Sequence, residues 1–253
     1  MTTTHAGAAP TWRRIVAQTD FEARAILRNG EQLLVTIVVP ILVLIGLTSV
    51  DVLDIDTEGL SPIDFFTPGV LALAVMTSSF TSQAISAAFD RRNGVLRLLS
   101  TTPLGRSGLL VGKIAGVLVV GTVQVVVIGV TAALLGWRPD ALGIVLALVA
   151  MVLGAAAFTS LALLVAGTLR AEAVLAVANL ALLLLALGGG VIVPADRLPG
   201  PLEHVALLLP SGALGEAMRQ AFQHGSLPAW SVVVLVGWTA ALGWGAARLF
   251  RWH

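Results

Sequence analysis

Few chemically capable side chains in this 253-residue chain lie where they could act together. The four histidines, His5, His204, His224 and His253, all fall outside the long apolar stretches. A serine nucleophile within those stretches would have no base beside it to take its proton. There is no cysteine, which removes thiol catalysis, thiolate metal ligands and a disulfide framework. Zinc chemistry needs clustered His or carboxylates, and HExxH does not occur. The five acids of residues 51–64 lack the loop glycine and terminal Glu of an EF-hand, and read as solvated charge. The one Gly-Lys pair, Gly112-Lys113, is followed by Ile114, and Ser107 stands where a phosphate-cradling loop needs its first glycine. No catalytic residue, metal ligand or resident cofactor is assigned on these grounds, and an enzyme is not expected.

Recognition chemistry is more visible. Asp90, Arg91 and Arg92 lead into a short leucine-rich segment bracketed by Gly94 and Pro103, one or two helical turns long. A stop-transfer loop would need only the arginines. Leu96, Leu98 and Leu99, with Arg97 among them and Thr102-Pro103 after them, read instead as a surface on which another protein docks. Three amides, Gln83, Gln124 and Asn179, sit inside apolar stretches, where they either bond across helices or line a path. A third group follows the helix-weakening Gly188-Gly189-Gly190: Pro194, Leu198, Pro199, Pro210, Met218, Arg219 and Phe222. Within it Ser211 is placed to cap a helix and Gly225 to end it.

The elements that must carry these residues are membrane spans. AVILMFWYC make up 57% of the chain and charged residues 11%, against roughly 25% charge in an average soluble domain. Mean hydropathy is +0.94. That composition excludes a water-soluble globule and disorder, and a net charge of +1 offers nucleic acid no basic footprint. Six stretches reach the length of about 20 apolar residues that a bilayer requires: 33–50, 66–89, 114–135, 141–169, 173–193 and 229–247. None holds Asp, Glu, Lys, Arg or His, so ion coupling through intramembrane charge is not expected. The predicted fold is all-α: a polytopic membrane protein with six transmembrane helices, an N-terminal interfacial helix and a short outer helical hairpin before the last span. Residues 1–32 form a tail and interfacial helix, and residues 33–253 a single transmembrane domain. No apolar core precedes Leu33, so the first span is not a cleaved signal.

Charge on the short connections sets orientation. With both termini inside, the inner segments hold twelve basic and five acidic residues, and the outer ones three basic and nine acidic. The near-neutral total therefore divides into +7 inside and −6 outside. Both termini are expected in the cytoplasm. Trp12, Ile15, Val16, Thr19, Ala23 and Ile26 share a face of a lead-in helix, which lies in the membrane interface or is an ordinary cytosolic helix. Its apolar stripe favours the interface, since only lipid would be there to cover it. The segment 194–223 either dips into the bilayer and returns or lies on its outer surface.

This order of elements resembles the ABC-2 family, the membrane permeases of bacterial ABC exporters. The resemblance rests on Asp90-Arg91, Gly94-Val95-Leu96, Thr102-Pro103-Leu104 and Gly112-Lys113, and again on Pro194, Leu198-Pro199, Pro210 and Ala217-Met218-Arg219. The run Leu98-Leu99 through Thr101-Thr102-Pro103-Leu104 is similar to the branch of daunorubicin-resistance permeases. Many members carry an acid three residues after the loop glycine, where this chain has Arg97. The resemblance implies a half-transporter in the bacterial inner membrane, a homo- or heterodimer of permease chains driven by cytosolic ABC ATPases that hold ATP and Mg. It implies that residues 90–102 seat in an ATPase groove and that the 194–223 hairpin is the outer gate. Amphiphilic, lipidic or drug-like cargo would follow, and Arg91 or Leu96 to Glu would then abolish export. A non-transporting assembly or anchoring protein, and a secondary transporter, stay open on the residues alone.

Overall fold

A computed structural model describes residues 9–49, 57 and 59–249. Most of the acidic outer loop expected at 51–64 lies outside the described residues, as do His5, His253 and the end of the first predicted span. Every regular element described is helical.

Helix α1 (Thr11–Leu27) starts directly after Pro10. The first apolar segment runs through α2 (Gly30–Leu33), a π-helical turn (Leu34–Val38) and α3 (Val39–Ser49). The widened turn has a local cause. Pro40 has no N–H to give the carbonyl of Thr36 four residues earlier. Gln124, from the helix that packs alongside, supplies a donor to that carbonyl at 2.8 Å.

The second span begins earlier than its apolar run suggests. Ser61 caps α4 (Pro62–Met76), its hydroxyl accepting from the Asp64 N–H, with Pro62 in the first turn. The helix continues through a π-helical stretch (Thr77–Ser82) into α5 (Gln83–Arg92). Thr77, Ser78 and Ser79 there donate back to the carbonyls of Leu73, Ala74 and Val75, which loosens the regular ladder. In the most apolar 18 residues of this Pro62–Arg92 rod 94% are buried, against 17–44% in the corresponding stretches of the other long apolar helices, so it is the axis of the bundle.

Next come the short α6 (Val95–Ser100), the long α7 (Gly105–Leu134), α8 (Ala141–Thr168) and α9 (Ala171–Gly188). A 3-10 turn (Ala195–Arg197) leads to α10 (Pro201–Leu208) and α11 (Pro210–His224), and α12 (Ala229–Leu249) follows. Helix α8 packs against α5, α11 and α12, and α1 lies along α7. Small residues let these backbones approach: a Cβ at Gly143 of α8 would sit 2.8 Å from the Ala221 carbonyl of α11.

Five helices are long and apolar enough to cross a membrane among the described residues: Pro62–Arg92, Ser107–Leu134, Ala141–Thr168, Ala171–Gly188 and Ala229–Leu249. The segment expected as the first span is represented by the shorter apolar helix Leu34–Ser49. At about 1.5 Å per residue it reaches roughly 24 Å, short of a core about 30 Å thick. Two further expectations change. Ser211 is not a cap: extended Leu209 precedes the helix, Pro210 opens it, and the Ser211 hydroxyl is buried without a partner. The apolar stripe of α1 is not left to lipid alone, because Ala23 and Ile26 are buried with Gln18 and Glu22 while Trp12 and Val16 stay exposed. Gly225 ends α11 in the left-handed region, as read from the sequence.

Candidate functional site

Helix α6 is built to present one face. Gly94 precedes it at φ 77°, a conformation that turns the chain sharply after α5. Leu96 is fully buried in the main core, and Leu99 packs against that core. Leu98, by contrast, is 69% exposed, and Arg97 is exposed beside it. Of the three leucines, Leu96 is therefore the anchor and Leu98 the surface. Thr101 and Thr102 close the helix by donating to the Leu98 and Leu99 carbonyls.

The arginines before α6 do different work from the one within it. Arg91 donates to the Leu169 carbonyl, and Arg92 pairs with Glu172 at 2.6 Å across an exposed surface. Arg91 thus fastens the end of α5 to the end of α8, and Arg92 fastens it to the first turn of α9. Substituting Arg91 or Leu96 would consequently disturb internal fastenings, and neither reports cleanly on docking.

Behind α6 lies a cluster that sequence reading did not assemble. Lys113 of α7 is completely buried, with its Nζ 2.7 Å from Glu22 Oε1 of α1 and 3.8 Å from Asp90 Oδ2 of α5. Gln18 donates to the same Glu22 oxygen at 2.7 Å. Arg14 of α1 reaches the Pro103 carbonyl, just beyond α6. Glycine makes the approach possible, because a Cβ at Gly112 would lie 2.5 Å from Gln18 Cγ and one at Gly116 would lie 2.6 Å from Glu22 Cβ. The Gly-x-x-x-Gly spacing at the head of the third span was the available signal.

The three amides do not share one environment. Gln124 is buried on Thr36, and Gln83 is fully buried with neither amide atom bonded. Asn179 is exposed and donates to the Leu175 carbonyl of its own helix at 2.9 Å.

At the opposite, acidic end the hairpin residues form a clamp. Arg219 is 4% exposed and donates to the carbonyls of Gly190 and Val191, each at 2.9 Å, with Glu216 at 3.4 Å. Burial pulls its ionisation below the ordinary arginine value, and Glu216 opposes that shift. The clamped segment passes between bare backbones: a Cβ at Gly215 would be 2.6 Å from the Gly190 carbonyl, and one at Gly69 would be 2.7 Å from that of Val191. Pro194 and Leu198 flank the 3-10 turn, Pro199 lies between that turn and α10, and Pro210 opens α11. Met218 and Phe222 face an apolar cavity of about 320 Å³ shared with α7 and α8, where Phe222 meets Trp137 edge to face at 4.9 Å. Two tryptophans of α12 hold the other arm, Trp230 donating to Leu207 at 3.2 Å and Trp238 to Leu208 at 2.8 Å. Trp238→Phe is expected to lower stability by about 1 kcal/mol, the worth of one such bond. A thermal melt in detergent checks this, and an unshifted midpoint would count against the clamp.

Among the described residues no three His, Cys, Asp or Glu side chains gather so as to hold a metal ion. Among the described residues the site offers fastened helices and the surface that α6 presents. No curated protein matches the chain. Residues 13–222 match the ABC-2 type transporter family, a span that opens inside α1 and ends inside α11 and so takes in both the presented helix and the clamped hairpin. The chain belongs to the ABC-2 type transporter family.

Proposed function

We propose that this chain is the permease subunit of an ATP-driven exporter, paired with a second permease chain and powered by separate ABC ATPase subunits. The observation that carries this reading is α6: a short helix anchored by Leu96 and presenting Leu98 at 69% exposure beside Arg97. An exposed apolar knob next to a cation suits insertion into a groove of another protein. The basic end that carries α1 and α6 faces the cytoplasm, following the excess of arginine in its short connections. The short helix Leu34–Ser49 is taken as a sixth span, tilted little in a locally thinned bilayer. Both termini are then cytoplasmic, and the protein sits in a bacterial inner membrane.

Support for a second permease chain comes from α9. Its amide Asn179 stands exposed near Leu180, Leu183 and Leu184, all exposed too. Covering a polar amide with protein is favoured over leaving it in lipid, by about 1 kcal/mol. The hairpin of α10 and α11 serves as the outer gate, with its fixed arm held by Arg219. ATP and Mg belong to the partner ATPase. The walls are apolar and a cavity of about 320 Å³ opens beside Trp137, which suits an amphiphilic or lipidic cargo.

The test is to purify the chain with its ATPase and reconstitute the complex in phosphatidylethanolamine and phosphatidylglycerol vesicles carrying a fluorescently tagged phospholipid. Movement of the tagged lipid on ATP addition is expected. Movement driven by a proton gradient without ATP would replace this reading with a secondary transporter. No movement by a complex that still hydrolyses ATP would favour an assembly or anchoring role.

A further inference from the structure

Glu22, Asp90 and Lys113 belong to three helices that the chain separates widely, yet they meet in a site that buries Glu22 and Lys113 and leaves Asp90 partly open to solvent. The side chains of Lys113 and Glu22 are 0% and 4% exposed, and that of Asp90 is 27% exposed. An ion pair this deep adds little net stability compared with apolar packing, because desolvation offsets the attraction. What it fixes is geometry, since two opposite charges in a low dielectric tolerate few alternative registers. The placement of the three groups says which geometry is being fixed.

Asp90 lies in the last turn of α5, immediately before the turn into α6, and Lys113 lies in α7 beyond it. Their contact therefore spans the mouth of the hairpin that carries α6. Glu22 ties α1 to that mouth, and Gln18 holds the carboxylate in place. Further out, Arg14 ties the same helix to Pro103 beyond the hairpin tip. Gly112 and Gly116 remove the side chains that would otherwise keep α1 away.

We infer that Glu22, Asp90 and Lys113 act as a charge lock that makes α1 and the α5–α6–α7 hairpin one rigid lever. The lock delivers displacement of α6 into α7, and so into the transport path. The inference rests on the permease reading, and the three are positioning residues that touch neither cargo nor nucleotide. Without them α6 still docks and the ATPase still turns over, while its stroke is lost in bending of the hairpin.

The chain has no cysteine, so introduced cysteines at exposed Ala17 and Val111 can carry spin labels on α1 and α7. The principal variant neutralises the lock as a set: Glu22→Gln with Asp90→Asn and Lys113→Met. A second, Glu22→Gln alone, leaves Lys113 paired with Asp90 and keeps the protein testable if the first does not fold. In the full chain in lipid nanodiscs, one narrow distance is expected for the unmodified lock and a broad distribution for both variants, broader for the triple. In the vesicles described above, tagged lipid moved per ATP hydrolysed is expected to fall at least about tenfold in the triple variant, with hydrolysis within about twofold. Unchanged distances, or an unchanged ratio of lipid to ATP, would overturn the lock. Should the unmodified complex hydrolyse ATP yet move no lipid, the permease reading fails instead, and the distance measurement alone decides on the lock.

Discussion

Leu98→Glu is expected to strip the ATPase from the purified complex, lowering copurified ATPase and ATP hydrolysis at least about tenfold, while the chain inserts and melts as before. Leu98 makes a clean probe because it is 69% exposed on a helix that other residues hold in place. Burying such a leucine in a partner contributes about 1.5–3 kcal/mol. A carboxylate in the same groove removes that and adds a desolvation penalty, and each 1.4 kcal/mol is about a factor of ten in affinity. Leu96→Glu cannot serve, since Leu96 is fully buried and its loss would dismantle the hairpin itself. Quantitative mass spectrometry of the purified complex provides the measurement. An undiminished ATPase yield would remove α6 as the docking element.

The second large effect is expected at the other end of the bundle. Arg219→Ala leaves the carbonyls of Gly190 and Val191 without their donor, in a place where Gly69 and Gly215 bring other backbones close to them. Hydrogen bonds from a charged donor are worth about 1.5–3 kcal/mol each, so a loss of about 3 kcal/mol or more follows. For a chain of this size that corresponds to roughly 6–12 °C in Tm. Arg219→Lys should recover only part of it, because one ammonium cannot reach both carbonyls as the guanidinium fork does. Thermal melts of the three proteins in one detergent settle the order. Equal melting of Arg219→Ala and the unmodified chain would show that the loop is held by other means.

Much of this architecture was legible from local chemistry. Gly94 and Pro103 bracket α6 because a left-handed turn and a helix stop are encoded in single residues. Gly225 could be read for the same reason. The span boundaries were less accessible. Ser61 and Pro62 start the second span inside a stretch that looked like acidic loop, because Ser61 caps the helix and the Asp64 charge suits its first turn. Pro40, Thr36 and Gln124 form one unit whose members are polar or helix-breaking by type, and only their meeting shows that each completes the others. The charge cluster was the hardest to see. Glu22 stands on what reads as the polar face of α1, and Lys113 looks like a snorkelling residue at a span end. Their pairing bridges 91 positions of sequence and no periodicity records it.

The clamp also orders the making of the protein. Gly190 and Val191 emerge from the ribosome 29 and 28 residues ahead of the arginine that binds them. The acidic end of the nascent bundle must therefore stay unfastened until α11 arrives. The tryptophans that brace α10 come later still, with α12. Chains truncated after α9 should be recognised by insertases and proteases as unfinished, however well their spans are already embedded, because α11 and α12, which come later, are the helices that seal the fold.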